Sequence, residues 1–134
     1  MVLLAALQAM WCLIAESINM IAYVVELTIN DGGLDKFKEL AAGYAATVQE
    51  NELGTTTYEW YLAEDNSKCL LHESFTDSEA LLQHLANVGP SLPDLLAVSP
   101  ITRVEVFGAP NDAAREALDG LGSTYFPHFA GFQR

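Results

Sequence analysis

A carboxylate and a histidine stand where a predicted strand gives way to a helix. Glu73 lies in the strand-like run Leu71–Phe75, and His84 follows on a helix-like segment that begins after Asp77. A carboxyl group on an apolar strand face is costly unless it is paired, and this imidazole is the nearest titratable candidate. We therefore predict a catalytic, proton-handling pair at the edge of a pocket, within direct or water-mediated hydrogen-bond reach.

Both residues also have a purely structural interpretation. Glu73 would then hold the strand–helix junction through a salt bridge or as a cap partner. His84 would be a satisfied residue of an amphipathic helix. His72, by contrast, points to the opposite sheet face because strand neighbours alternate, so we expect it at a dimer interface rather than in the pocket.

Apolar and aromatic side chains accompany the pair. Tyr58 and Trp60 share one face of the second predicted strand, and Leu71 and Phe75 share the face of Glu73. Such side chains usually form a core or an interface, and they become a ligand platform only where a cavity exists. We expect these four residues to bind the substrate.

Composition excludes several classes of protein. The 134 residues fit one domain, and a net charge of −12, from 6 Lys+Arg against 18 Asp+Glu, leaves no basic stripe for nucleic acid or for an anionic membrane. The 2 cysteines, Cys12 and Cys69, have no metal-ligand spacing, which predicts no metal site and no disulfide framework. Two buried thiols in a reducing cytoplasm are the simplest interpretation.

The first 19 residues form an apolar N-terminal extension ahead of a single domain over residues 20–134. Val2–Ala15 is apolar except for Gln8, but it is shorter than the roughly 20 residues of a bilayer span. A signal peptide would carry an early positive charge, and the first basic residue is Lys36. The segment is an upstream start extension, a short anchor or a packed helix, and its apolar character favours the packed helix.

The periodicity of the remaining chain predicts an α+β fold. The element order is β-α-β-β-α-β, the ferredoxin-like split βαβ arrangement, with an antiparallel four-stranded sheet and helices on one face. Its predicted strands are Ile21–Ile29, Thr55–Ala63, Lys68–Phe75 and Ile101–Phe107. A short helix and an aromatic terminal strand or arm, Thr124–Phe132, follow. Because apolar residues occupy both sheet faces, we expect two sheets to pack face to face in a homodimer.

An ordered set of residues resembles the antibiotic biosynthesis monooxygenase domain over roughly residues 21–107. The set comprises Glu50 or Glu52, Gly54, Thr55, Tyr58, Glu59, Trp60, Glu73, Phe75, Asp77, Ala80 and His84. The closing Tyr125-Phe126-Pro127 and Gly131-Phe132 look like the tail of a subset described as quinol monooxygenases.

The resemblance implies a dimeric α+β barrel that acts as a cofactor-independent monooxygenase. A quinol- or anthrone-like aromatic substrate would be deprotonated and would then reduce O₂ directly, without metal or flavin. Each protomer would supply a dry pocket that stabilises the anion. The alternative is a non-catalytic dimeric barrel that binds a small apolar ligand, because fold membership does not settle function.

Two positions bear on that implication. Several oxygenases of the family carry Trp two residues after the strand-three Glu, where this chain has Phe75, so a ring N–H that would donate to a substrate oxygen is missing there. The haem-degrading relatives use an Asn near the end of strand one. Asn30 lies near that place, but it belongs to the turn Asn30–Gly33, which argues against haem.

Overall fold

The computed structural model of the protein describes residues 2–134, with the side chains of residues 11–18 outside the description. Five helices, a 3₁₀ turn and five strands follow one another along the chain. The helices are α1 (Val2–Asn19), α2 (Leu34–Asn51), α3 (Ser78–Val88), α4 (Leu92–Val98) and α5 (Asp112–Asp119), with the 3₁₀ turn at Gly89–Ser91. The strands are β1 (Ile21–Thr28), β2 (Thr55–Leu62), β3 (Lys68–Phe75), β4 (Ile101–Phe107) and β5 (Thr124–Phe126).

The strands form one sheet in the order β2-β3-β1-β4-β5. The four long strands pair antiparallel, which confirms the ferredoxin-like α+β prediction. The sheet has five strands rather than the predicted four, because β5 adds in parallel beside β4 after the α5 crossover. A three-residue strand carries too short an alternation to be told from an irregular arm.

Alternation along each strand places the core on the face that the helices cover. Ile21, Tyr23, Val25 and Leu27 of β1 are buried there. On the neighbouring strands the buried inward side chains are Cys69, Leu71, Glu73, Phe75, Val104 and Val106. Glu73 is thus a carboxylate set within the hydrophobic core, 4% exposed.

The start of α3 is fixed by a cap and by a close backbone approach. Asp77 is the N-cap, and its carboxylate accepts a hydrogen bond from Ala80 N at 2.8 Å. Gly54, which directly precedes β2, lies beside the same turn, and its carbonyl accepts from Thr76 N. A Cβ on Gly54 would stand 2.6 Å from the Ala80 Cβ, so only glycine allows this contact.

The outer face of the sheet mixes apolar and charged side chains. Tyr61, Phe107 and Phe126 are 52%, 40% and 44% exposed. Near one end of the face, Arg103 bonds both Glu26 and Glu105. A homodimer formed through this face stays a prediction.

Helix α1 carries exposed apolar side chains in its described first half. Val2, Leu3 and Leu4 are at least 72% exposed within the single chain. Packing of residues 1–19 against a partner therefore stays a prediction, and the side chain of Cys12 lies outside the described residues. Over residues 2–134, no helix is long and apolar enough to cross a membrane.

Candidate active site

The site begins at the end of α2, where the backbone leaves helical geometry at Glu52. This turn directs the Glu52 carboxylate inward, and the side chain is 4% exposed. Thr55 Oγ1 donates to Glu52 Oε1 at 2.8 Å, and Asn87 Nδ2 of α3 donates to Oε2 at 3.3 Å. Both carboxylate oxygens of Glu52 therefore have protein donors.

His84 of α3 lies between two buried carboxylates. Its Nδ1 is 2.8 Å from Glu52 Oε1, and its Nε2 is 2.9 Å from Glu73 Oε1. Because the other partners of Glu52 are donors, the simplest assignment gives Nδ1 the hydrogen and lets it donate to Glu52. Nε2 then faces Glu73 Oε1.

The two carboxylates are not equally satisfied. Glu73 bonds the hydroxyl of Tyr23, its cross-strand partner on β1. Glu73 Oε1, however, has no protein partner that meets the angular requirement of a hydrogen bond, despite the 2.9 Å to Nε2. The contact with His84 is thus a close but poorly aligned ion pair, and this oxygen keeps acceptor capacity.

Burial and charge shift the pKa values of these groups. Burial raises the pKa of the Glu73 carboxyl and outweighs the opposing hydrogen bonds of His84 and Tyr23. Burial alone would lower the pKa of His84, but the bonds and charges of Glu73 and Glu52 outweigh it, so the pKa is raised. Burial and the charge of Glu73 raise the pKa of Tyr23 and Tyr58. Protons are therefore held tightly at this end of the site.

A cavity of about 80 Å³ adjoins the pair between the sheet and the helices. Glu73, His84, Tyr23 and Tyr58 form its polar part. The rest of the lining is mainly apolar and comes from five helical or turn segments and the sheet: Val25, Leu27, Tyr44, Trp60, Leu71, Leu85, Val88, Gly89, Leu92, Leu95, Ile101 and Leu121.

Trp60 forms an aromatic wall of this cavity. Its ring contacts Phe37, Tyr44 and Tyr58, with centroids 5.8, 6.3 and 5.6 Å away. Trp60 Nε1 is buried and has no hydrogen-bond partner among the residues that the structure describes. The Tyr44 hydroxyl, in contrast, donates to Ser91 O at 2.8 Å and ties α2 to the 3₁₀ turn.

The structure brings together most of the residues that the sequence singled out. Glu73 and His84 lie within the predicted distance of each other, and Tyr58, Trp60 and Leu71 line the cavity beside them. Phe75 is fully buried behind the pair, with its ring centroid 5.2 Å from that of His84. It is not among the side chains that line the cavity.

Two members of the site were not singled out from the sequence. Glu52 was left as one of two candidates, because Glu50 and Glu52 are both polar residues at a helix end. Tyr23 was not among the candidate site residues. The signal available for Glu52 was its place directly after the helix, where the backbone turns and changes the direction of the side chain.

The three charged side chains do not converge on one point. Glu52 and Glu73 bind opposite nitrogens of the same ring, so no common position lies within ligand distance of all three. Among the side chains that the structure describes, no group of three His, Cys, Asp or Glu residues is arranged to hold a metal ion.

Comparison with known proteins defines the class. The antibiotic biosynthesis monooxygenase family matches residues 20–89, more than half of the chain, and the chain belongs to this family. No curated protein sequence matches it significantly.

Solved structures share the fold. MupZ from Pseudomonas fluorescens is 22% identical with a TM-score of 0.78, and the match covers 87% of this chain and 95% of MupZ. A variant of SnoaB, a cofactor-independent oxygenase from Streptomyces nogalater, is 21% identical with a TM-score of 0.59 and coverages of 69% and 95%. Rv0793 from Mycobacterium tuberculosis is 16% identical, with a TM-score of 0.60 and coverages of 70% and 98%.

Proposed function

We propose that the protein is a cofactor-independent monooxygenase in which the Glu73–His84 pair deprotonates a quinol- or anthrone-like aromatic substrate. The observation that carries the proposal is a buried carboxylate–imidazole pair at the polar end of an otherwise apolar cavity. Family membership and the likeness to a cofactor-independent oxygenase agree with it. O₂ is the second substrate.

The reaction needs a base that stores one proton and returns it. Glu73 takes a proton from a substrate C–H, or from an O–H whose anion places its negative charge on a ring carbon, and the carbanion that forms reduces O₂. Recombination gives a peroxide, the stored proton returns to it, and loss of water leaves a carbonyl, so that R₂CH₂ and O₂ become R₂C=O and H₂O. Because His84 lies against Glu73, the pair can hold the proton between these two steps.

The apolar surroundings serve the same chemistry. In a site from which water is largely excluded, fixed dipoles act more strongly on the developing anion, and reactive intermediates are protected from hydrolysis. The raised pKa of Glu73 brings the base closer to the working pH, which favours transfer in both directions.

The assembly and compartment belong to the same proposal. A homodimer through the outer sheet face would cover Tyr61 and Phe107, which are half exposed in the single chain. Cys69 is a free, buried thiol, which agrees with a reducing compartment such as the cytoplasm.

Oxygen uptake tests the proposal directly. The protein is incubated with anthrone or with a one-ring quinol, with and without a chelator, and O₂ consumption is followed. We expect Glu73→Gln and His84→Ala each to lower turnover by about 10²-fold or more, the scale of a positioned acid–base group. His72→Ala, on the exposed outer face of the same strand as Glu73, is the matched control and should keep full activity.

Three results would count against this function. Unchanged turnover in Glu73→Gln and His84→Ala would remove both from the mechanism. Loss of activity with the chelator would show that a metal is required. Tight binding of aromatics without any O₂ consumption would favour the alternative of a non-catalytic ligand-binding barrel.

A further inference from the structure

Two buried polar atoms that lack a well-aligned hydrogen-bond partner among the described residues belong to side chains that line the same cavity, and they differ in character. Trp60 Nε1 carries a hydrogen and only donates, whereas Glu73 Oε1 accepts when the carboxylate is ionised. Both side chains line the cavity of about 80 Å³. Buried polar groups in native proteins nearly always have a partner, so an unpaired donor and an unpaired acceptor in one cavity point to a ligand that serves both.

We propose that Trp60 Nε1 and Glu73 Oε1 form a two-point clamp for a small substrate that carries a carbonyl oxygen at one end and an acidic hydroxyl at the other. The carbonyl accepts from Trp60, and the hydroxyl donates to Glu73. This inference rests on the proposed oxygenase function, because it names the substrate class of the same site.

Strand register places the two side chains of the clamp side by side. Tyr58 is paired with Glu73 and Trp60 with Leu71, so Trp60 and Glu73 are diagonal neighbours on the same sheet face. The Cα atoms of such neighbours are about 7–8 Å apart. One small molecule can therefore contact both side chains.

Cavity size limits the rest of the molecule. An apolar cavity of roughly 150 Å³ accepts one benzene ring. At about 80 Å³, this cavity holds one small ring only with modest expansion. Three fused rings would need the displacement of well-packed side chains such as Leu95 and Leu71, which are 4% and 5% exposed. The clamp therefore favours one-ring hydroxy-carbonyl compounds over anthrones.

The aromatic contacts of Trp60 hold the donor in place. The Tyr44 ring stacks on the indole, and the Tyr58 ring meets it edge-on. An indole fixed on two sides loses little freedom when a ligand binds, so its N–H acts as a preorganised donor. Such a site rejects analogues that lack the matching oxygen, because the polar atoms then stay unpaired.

Binding of simple probes tests the clamp without any turnover. Calorimetry compares 4-hydroxybenzaldehyde, which has both functions, with phenol, which lacks the carbonyl, and benzaldehyde, which lacks the hydroxyl. We expect the first to bind about tenfold or more tightly than either of the others, and than anthrone. In Trp60→Phe, the affinity for 4-hydroxybenzaldehyde should fall to the affinity for phenol, while the affinity for phenol itself should not change.

Tyr44→Phe is the matched control. It removes a hydroxyl from the same cavity wall, but that hydroxyl already has Ser91 O as a partner, so the affinity ratio of 4-hydroxybenzaldehyde to phenol should stay at the wild-type value. If Trp60→Phe does not fold, the indole N–H proton of the intact chain gives the answer. The chain has 2 tryptophans, and Trp11→Phe assigns the signal. The Trp60 signal should shift downfield with 4-hydroxybenzaldehyde and benzaldehyde but not with phenol.

Several outcomes would overturn the clamp. An equal loss of affinity for all probes in Trp60→Phe would mean that the indole only packs against the ligand. An indole N–H signal that does not shift with the carbonyl compounds would mean the same. Anthrone binding as tightly as 4-hydroxybenzaldehyde would defeat the size argument, and failure of the two-function probe to bind would defeat the clamp altogether. Selective binding with no O₂ uptake from any quinol would leave the clamp standing and reject the oxygenase function instead.

Discussion

Replacing Gly54 with alanine should damage the fold and the site together. The new Cβ would lie 2.6 Å from the Ala80 Cβ, whereas apolar carbons pack best at about 3.5–4.0 Å. The start of α3 must therefore move by about 1 Å away from β2, at a cost typical of overpacking, about 1–3 kcal/mol of unfolding free energy. His84 lies one turn after Ala80 on the same helix face, so the displacement carries to its contact with Glu73.

The consequence for turnover follows from that displacement. A misplacement of about 1 Å costs about 10²-fold in rate when it reaches catalytic groups. Urea unfolding measures the stability of Gly54→Ala, and O₂ uptake measures its activity. We expect both to fall, with the m-value unchanged because the substitution leaves the surface area exposed on unfolding nearly the same.

A second substitution isolates the cause. Ala80→Gly removes the opposing Cβ, after which the nearest atom to a Cβ at position 54 is Thr76 Oγ1 at 3.4 Å, an ordinary contact. Ala80→Gly alone should cost about 0.5–1 kcal/mol for glycine in a helix. The loss of unfolding free energy in the double variant should be smaller than the sum of the two single losses by about 1–3 kcal/mol. Strict additivity would refute the steric argument, whatever the single variants do.

Four further predictions concern charge and assembly. Because the folded-state pKa values of Glu73 and His84 both lie above their ordinary values of 4.5 and 6.5, the folded protein binds more protons, and urea midpoints should fall as pH rises from about 4.5 to beyond 6.5. Glu73→Gln should flatten this slope, and stability that rises across the window would contradict the assignment. Glu52→Gln keeps an acceptor for His84 Nδ1 but removes a charge, so imidazole NMR should show a lower His84 pKa, with exposed Glu50→Gln as the unshifted control. Light scattering should find a dimer in dilute buffer, and a stable monomer would reject the barrel. Deletion of residues 1–19 should leave a folded domain with altered assembly, whereas failure to fold would place the segment in the core.

Elements with regular periodicity were predictable from the sequence. The four long strands alternate clearly, and the Asp77 cap marks the start of α3, so element order and the inward face of β3 followed directly. Because a short turn joins β3 to α3, the inward direction of Glu73 was enough to predict that it lies close to His84. The prediction depended on local signals that tertiary contacts did not override.

Long-range convergence was not predictable in the same way. Glu52 and His84 are 32 positions apart and meet only because Gly54 lets β2 start against α3. No local pattern reports such an approach. The parallel strand β5 is only three residues long, so its pairing depends on the α5 crossover that returns the chain beside β4.

The distribution of hydrogen bonds argues that the pair has more than a structural role. Glu52 has the partners expected of a structural carboxylate, since Thr55, Asn87 and His84 account for both of its oxygens. Glu73 is buried just as deeply, yet one of its oxygens lacks a well-aligned partner. An evenly satisfied network would rigidify the core, whereas a network satisfied at one end only bears a desolvation penalty of about 1–3 kcal/mol that folding alone does not require. The unsatisfied end is the one that borders the cavity, which is where a base must keep an oxygen available for a substrate proton.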